Sequence, residues 1–172
     1  MLIKGSDKPK HIQVIAGETC YEYGKFNVIT KNTDLGESIL IKNSNKYNCS
    51  WKESEGWVVG SGPANFFGGV YKDKIIIDNG TLPSPRDVLI YDAFTKKLFF
   101  SDEYFVNIQI SEGKLIYWKS SKSLATKNNC DVFRQAMSTG LDAKLMDRVV
   151  VNLSNGKFDK QRVIVQRCEL TQ

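Results

Sequence analysis

Short runs of apolar residues alternate with polar positions along most of the chain, and turn-forming residues interrupt them roughly every 8–12 residues. The runs are rich in β-branched and aromatic side chains, which is typical of antiparallel strands. In residues 106–110 apolar and polar side chains alternate, so one face of this strand should be solvated. The pattern predicts strands at 11–16, 25–30, 38–42, 56–59, 66–71, 74–78, 87–92, 97–101, 105–111, 114–119, 148–153 and 162–168.

One segment, residues 130–139, has the spacing of a helix instead. Asn128 or Asn129 can serve as its N-cap, and Gly140 suits the left-handed residue that ends a helix. We expect its apolar stripe to pack into the core. The stripe consists of Val132, Phe133, Ala136 and Met137. The predicted fold class is therefore all-β, an antiparallel β-sandwich or barrel-like meander with one short α-helix near residues 130–139.

The length of 172 residues suits one domain. We expect a flexible N-terminal segment at residues 1–10, followed by a single β-rich domain at residues 11–172. The longest apolar runs are only a few residues long, as at 75–77, so no transmembrane segment is expected.

The charge of the chain is weakly basic and diffuse. There are 24 Lys and Arg residues against 19 Asp and Glu residues, a net charge of +5. Nucleic-acid-binding surfaces usually cluster their basic residues and use Arg, whereas most basic residues of this chain are scattered Lys. We therefore expect no nucleic-acid partner, and a mild attraction to acidic partners.

The four cysteines, at positions 20, 49, 130 and 168, form no C-x-x-C motif, so a zinc ribbon or thioredoxin site does not fit. Four cysteines allow three disulfide connectivities, and reduced buried thiols are the alternative. We predict the pairs Cys20–Cys49 and Cys130–Cys168. Each cysteine of the first pair lies beside a predicted turn, so the two can approach each other. The second pair joins the start of the predicted helix to the last strand.

Disulfides would place the protein outside the reducing cytosol. Residues 1–10 contain no apolar stretch of about 7–15 residues, so no secretory leader is visible. Because the cysteines favour export, we expect a periplasmic or secreted protein from which the leader has been removed.

Catalytic patterns are not evident. His11 is the single histidine, and no G-x-S-x-G elbow or calcium-loop spacing occurs. We therefore expect no catalytic residues, no metal site and no cofactor.

Two loops have an unusual composition. Residues 60–69 contain four glycines and two phenylalanines, and residues 79–87 contain two prolines that should stiffen the backbone. A stiff loop suits insertion into another protein, because binding then orders little chain. The candidate binding residues in these loops are Ser61, Asn65, Ser84 and Arg86. The alternative is a packed crossover in which Arg86 forms a salt bridge.

Aromatic residues around the first two cysteines are candidate anchors for a protein or a sugar. Most of them are nevertheless expected to be core or half-buried strand residues. The set consists of Tyr21, Tyr23, Tyr47, Trp51 and Trp57, with Tyr117 and Trp118 further along the chain.

Several segments resemble small exported bacterial β-domain proteins of unassigned function. These are residues 74–92, 97–100 and 113–118, with an Asn-Cys pair at 129–130 and an Arg-Cys pair at 167–168. The resemblance covers residues 20–172. Periplasmic lysozyme inhibitors are a functional analogy, and some of them use an S-G-x-x-Y motif. Here Ser61 and Gly62 begin such a motif, but Asn65 stands in place of its Tyr.

The resemblance implies an exported, non-enzymatic binding protein with a protein or glycan partner. By the analogy, it would inhibit a hydrolase such as lysozyme by inserting a loop into the enzyme's cleft. The alternatives are a cell-wall carbohydrate-binding module and a small enzyme on a β scaffold.

Overall fold

The structure, a computed structural model, describes residues 2–44, 46, 48–60, 62, 64–81, 85–158 and 166–171. These residues form antiparallel sheets and a single short α-helix, so the all-β prediction is confirmed. No helix among them has the length and apolar character needed to cross a membrane. The strands are β1 (His11–Ile15), β2 (Glu18–Glu22), β3 (Phe26–Asn32), β4 (Glu37–Asn43), β5 (Gly56–Val58), β6 (Asn65–Tyr71), β7 (Lys74–Asn79), β8 (Arg86–Asp92), β9 (Leu98–Tyr104), β10 (Val106–Ser111), β11 (Lys114–Ser120), β12 (Asp142–Asn152), β13 (Lys157–Phe158) and β14 (Gln166–Thr171), and the helix α1 is Phe133–Thr139.

The chain divides into two compact units, Met1–Glu103 and Tyr104–Gln172. The first unit contains one sheet with the order β1-β2-β3-β4-β5 and another with the order β6-β7-β8-β9. The second unit contains the sheet β10-β11-β12-β13, in which β14 also pairs with β12. Compactness alone does not decide whether two units fold together, so the expected single domain at residues 11–172 stays a prediction.

Strand β3 is buried on both faces from Phe26 to Thr30, although Asn27 and Thr30 are polar. On one face Phe26 and Val28 join the main core of the first unit. On the other face Ile29 packs with Leu40 and Cys20 in a smaller cluster. Because neighbouring residues of a strand point to opposite faces, such double burial removes the alternation that a half-buried strand would show. The main core consists of Phe26, Val28, Ile39, Ile41, Val59, Phe67, Val70, Ile75, Ile77 and Ala93.

Residues before β1 lie along β6. Ile3 N–H donates to the Gly68 carbonyl at 2.7 Å, and Asp7 N–H donates to the Val70 carbonyl at 2.6 Å. The register of β6 against β7 shifts between Phe67 and Gly69, which marks a β-bulge at this place. Hydrogen bonds therefore join this segment to β6, and the flexibility expected for residues 1–10 stays a prediction.

In the second unit, β12 is the central strand. Residues 146–152 of this strand pair with β11, and residues 142–147 pair with β14 on its opposite edge. The left-handed Gly140 (φ 71°) ends α1, and its N–H donates to the Ala136 carbonyl, as the sequence predicts.

The predicted helix begins too early, and one residue of its predicted buried stripe, Met137, is exposed. The observed helix starts at Phe133, directly after Val132, and not near Cys130. No described side chain caps its N-terminus. Ala136 is buried, but Met137 is 74% exposed. A helix of two turns presents only a narrow stripe to the rest of the unit, so one small buried side chain is enough to pack it there.

Several strand predictions need correction, among them the short β13, which is not predicted, and β9, which reaches Tyr104, not residue 101. The sequence does not predict β2, because Glu18–Glu22 is mostly polar and only Cys20 is buried. Strand β12 begins at Asp142, not at residue 148, and β14 reaches Thr171, not residue 168. Residues 162–165 of the last predicted strand lie outside the described residues.

The cysteines form the two predicted pairs. Cys20 and Cys49 have their Cα atoms 5.7 Å apart, and Cys130 and Cys168 have theirs 5.2 Å apart. These separations suit disulfide bonds, and no free cysteine is found. The first bond closes β2 onto the loop after β4, and the second joins the segment before α1 to β14. Two disulfides fit a protein of an oxidising compartment.

Candidate functional site

The two loops singled out by the sequence meet at one end of the β6-β7-β8 sheet. Asn65, the first residue of β6, is paired with Asn79, the last residue of β7. Asn79 is in turn paired with Asp87 near the start of β8. The loop before β6 and the loop between β7 and β8 are therefore neighbours. We call residues 60–65 and 79–87, as far as they are described, the paired-loop end.

Asn65 ties the two loops together from inside. Its Oδ1 accepts from Asn79 Nδ2 at 2.8 Å, and its Nδ2 donates to the Gly62 carbonyl at 3.0 Å. Gly80 N–H also donates to the Ala64 carbonyl at 3.0 Å. Asn65 is buried. It lies beneath the two loops and joins them, and the binding role predicted for it stays a prediction.

Arg86 is engaged within the paired-loop end. Its Nε donates to Asp78 Oδ1 at 2.6 Å, and its guanidinium lies 5.2 Å from the centre of the Phe66 ring. This is the salt-bridged arrangement that the sequence left open as the alternative for Arg86. The ion pair compensates the charge of Arg86, and the cation–π contact with Phe66 helps to fix its orientation. Arg86 therefore fastens the start of β8 to β7.

A third segment, the turn between β3 and β4, supports the same place. A Cβ built on Gly36 would lie 2.7 Å from the Asn65 carbonyl oxygen, so only glycine fits there. The next residue, Glu37, accepts through Oε2 from the Phe67 N–H at 2.6 Å. Neither residue is predicted from the sequence, although Gly beside an acid in a turn is a signal that could identify them.

The two predicted serines, Ser61 and Ser84, lie outside the described residues, and their role stays a prediction. At the surface of the paired-loop end, the exposed described residues other than glycines are Thr81, Pro85 and Asp87. These are the described side chains that the supported loops can offer to a partner.

The aromatic set has several different environments. Tyr117 is fully buried, and Tyr21 and Tyr23 pack against the main core. Burial, together with the charge of Glu37, raises the pKa of Tyr21. Trp57 is partly buried against the main core and also lines an open cleft, whereas Tyr47 lies outside the described residues.

Three potential metal ligands, Cys130, Asp131 and Cys168, lie close together in the second unit. The two sulfur atoms are bonded to each other, so neither is a thiolate that could bind a metal. One carboxylate is left, which is too few ligands for a site.

His11 is exposed on β1, and no described residue forms a hydrogen bond with its ring. A Ser-His-Asp or Cys-His constellation needs a hydrogen-bonded histidine.

In comparisons with known proteins, the chain matches no protein family, no curated protein and no solved structure.

Proposed function

We propose that this chain is a periplasmic or secreted non-enzymatic protein that inhibits a hydrolase of the lysozyme kind. In this proposal the paired-loop end enters the cleft of the enzyme. The observation that carries the proposal is the cross-link between the two loops through Asn65, Asn79 and Gly62. A loop held in its bound shape loses little conformational entropy on binding, which is the usual basis of tight inhibition by a rigid loop.

Charge supports the choice of partner. Glycoside hydrolases of this kind use two carboxyl groups in the cleft. The chain carries a net charge of +5, which would draw it toward an acidic cleft and speed association at low salt.

The two disulfides support a location outside the cytosol, where such hydrolases meet their inhibitors. The exposed, unpartnered position of His11 within the described part of the chain supports a binding role over an enzymatic one.

The test measures clearing of bacterial cell walls by lysozymes of several structural types, with and without the protein. The wild type should slow clearing by at least one of them. Asn65→Ala should weaken inhibition about tenfold, because the freed loops must be ordered on binding. Arg86→Gln should act in the same direction, since it releases β8 from Asp78.

Matched controls are Asn128→Ala and Arg134→Gln, which change exposed residues of the second unit and should leave inhibition unchanged. Circular dichroism and thermal melting verify that each variant is folded. Absence of inhibition and of complex formation with every lysozyme would contradict the proposal. Retention on peptidoglycan without inhibition would favour the alternative, a cell-wall carbohydrate-binding module.

A further inference from the structure

A second concave surface lies elsewhere on the first unit and does not involve the paired-loop end. It is an open cleft with a volume of about 340 Å³, near the lower end of the range for small-molecule sites. We call it the aromatic cleft. Its principal lining residues are Lys25, Phe26, Glu55, Trp57, Phe94 and Lys96.

The aromatic walls of this cleft are held in place before any ligand binds. Trp57 Nε1 donates to the Ala93 carbonyl at 3.2 Å. Phe94 meets the Phe26 ring edge-on, with the ring centres 5.9 Å apart. Asp92 Oδ1 accepts from the Phe94 N–H at 3.1 Å and so fixes the turn that carries this ring. Phe94 is nevertheless 53% exposed, so a large part of its ring is accessible to a ligand.

The charges at the cleft favour an anion. Lys25 and Lys96 are exposed, and no described residue forms an ion pair with either of them. Glu55 is neutralised by Lys42 Nζ at 2.6 Å and by Lys52 Nζ at 2.9 Å. The hydrogen bond from Lys42 is the main reason that the pKa of Glu55 is lowered. Three lysines against one glutamate give the lining a net charge of +2.

The polar groups of the lining favour a sugar over an extended peptide. Backbone groups of Phe26, Ile41 and Lys42 are already paired in the β3-β4-β5 sheet, so little main chain is free to bind a peptide. Ser54 instead offers an exposed side-chain hydroxyl group at the rim. Aromatic faces beside such groups suit a ring that has an apolar face and a polar edge.

We propose that the aromatic cleft binds an anionic glycan, with a hexuronate-type sugar ring against Trp57 and Phe94. The carboxylate of the sugar is recognised by Lys25 and Lys96. This site is separate from the proposed inhibition of a hydrolase, and either one can exist without the other.

Calorimetric titration of the intact protein tests the ligand class with three probes. These are a trisaccharide of hexuronic acid, the methyl ester of the same trisaccharide, and a glutamate tripeptide with the same number of side-chain carboxylates. The acidic trisaccharide should bind, and its affinity should fall as salt is added. The ester and the peptide should each bind about tenfold more weakly or worse, because each lacks either the charge or the ring.

Variants test the site. Phe94→Ala and the double variant Lys25→Gln with Lys96→Gln should each reduce affinity about tenfold. Leu98→Ala and Lys97→Gln are matched controls, since both residues are exposed near Phe94 but do not line the cleft. All four should leave inhibition of lysozyme unchanged, which separates this site from the paired-loop end.

Three results would overturn the proposal: no binding of the acidic trisaccharide at millimolar concentration, equal binding of acid and ester, or unchanged affinity in folded Phe94→Ala. A fourth result, equal or tighter binding of the glutamate tripeptide, would overturn it in favour of an acidic peptide ligand.

Discussion

Asp92 shows how one side chain organises a surface of this protein. Its Oδ1 accepts from the Phe94 and Thr95 N–H groups, and its Oδ2 accepts from Lys74 Nζ at 2.9 Å. Burial raises the pKa of Asp92, but the hydrogen bonds from Thr95, Lys74 and Phe94 outweigh it, so the pKa lies well below its ordinary value of 3.8. The folded state therefore binds this proton more weakly than the unfolded state.

The sign of the pH dependence follows from this shift. A carboxyl group with a lowered folded pKa stabilises the fold fully above its unfolded pKa, and this contribution is lost as the pH falls toward the folded pKa. We expect Asp92→Asn to lower the free energy of unfolding at about pH 6, and the difference from wild type to shrink below about pH 3.8. Urea unfolding at several pH values measures this difference.

Asp34→Asn is the control for this experiment. Asp34 is exposed, and no described residue forms a hydrogen bond or ion pair with its side chain. Its difference from wild type should be small and independent of pH. A constant difference between wild type and Asp92→Asn across the acidic range would contradict the prediction.

At the residue scale, the sequence could name the loops but not the direction of their polar side chains. Asn65 and Arg86 stand in segments rich in Gly and Pro, which is typical of exposed loops. Asn65 is turned inward because Gly62 O and Asn79 Nδ2 satisfy its amide. Such partners come from chain pairing that single-residue propensities do not contain.

At the scale of elements, the glycine-rich segment has a structural reason that its composition does not reveal. A Cβ built on Gly68 would lie 2.8 Å from Ile3 Cδ1, and one on Gly69 would lie 2.8 Å from Ser6 Cβ. The backbone of Gly69 has φ 128°, a conformation that L side chains rarely adopt. Both glycines therefore make room for the N-terminal segment on β6.

We expect Gly69→Ala to lower the free energy of unfolding by about 1–3 kcal/mol, because alanine is strained at this backbone conformation. The new methyl group would also displace Ser6. Amide exchange of Asp7, which donates to the Val70 carbonyl, should become faster. Denaturant unfolding and hydrogen exchange by NMR measure the two effects.

Gly17→Ala is the matched control, since Gly17 also has a positive φ (81°) but has no atom within 4 Å of a built Cβ. Gly17→Ala should lower the free energy of unfolding only through its strained backbone, and the exchange rate of the Asp7 amide should stay unchanged. An unaltered exchange rate of Asp7 in Gly69→Ala would show that the segment does not depend on this glycine.

Elements with a clear alternation or a clear turn could be predicted, and polar strands could not. The strands flanking Glu112 and Gly113 form the expected hairpin, because both residues adopt the positive φ of a tight turn. Strand β2 could not be predicted, because pairing with β1 and β3 stabilises it more than burial of apolar surface does. The first part of β12 could not be predicted for a similar reason, because β14 pairs with it from the far end of the chain.

At the scale of the whole molecule, each disulfide lies within one compact unit. Cys20–Cys49 belongs to Met1–Glu103, where Cys20 packs with Ile29 and Leu40. Cys130–Cys168 belongs to Tyr104–Gln172, where Arg167, next to Cys168, lies 4.2 Å from the Trp118 ring centre. The sequence separations are 29 and 38 residues. In the chain-entropy account, closing loops of this size stabilises the fold by about 3.5–4 kcal/mol each.

We expect removal of either bond to act first on the unit that contains it. Cys130→Ala with Cys168→Ala should lower the melting temperature by roughly 10 °C. Amide protection should then be lost at Leu115 and Val149 and retained at Ile29.

Cys20→Ala with Cys49→Ala should reverse the pattern, so each double variant serves as the control for the other. Equal loss of protection at all three amides would show instead that the chain unfolds as the single domain that its length suggests. Non-reducing peptide mapping of the wild type completes the test, because four free thiols or a Cys20–Cys168 peptide would contradict both the pairing and the oxidising compartment inferred from it.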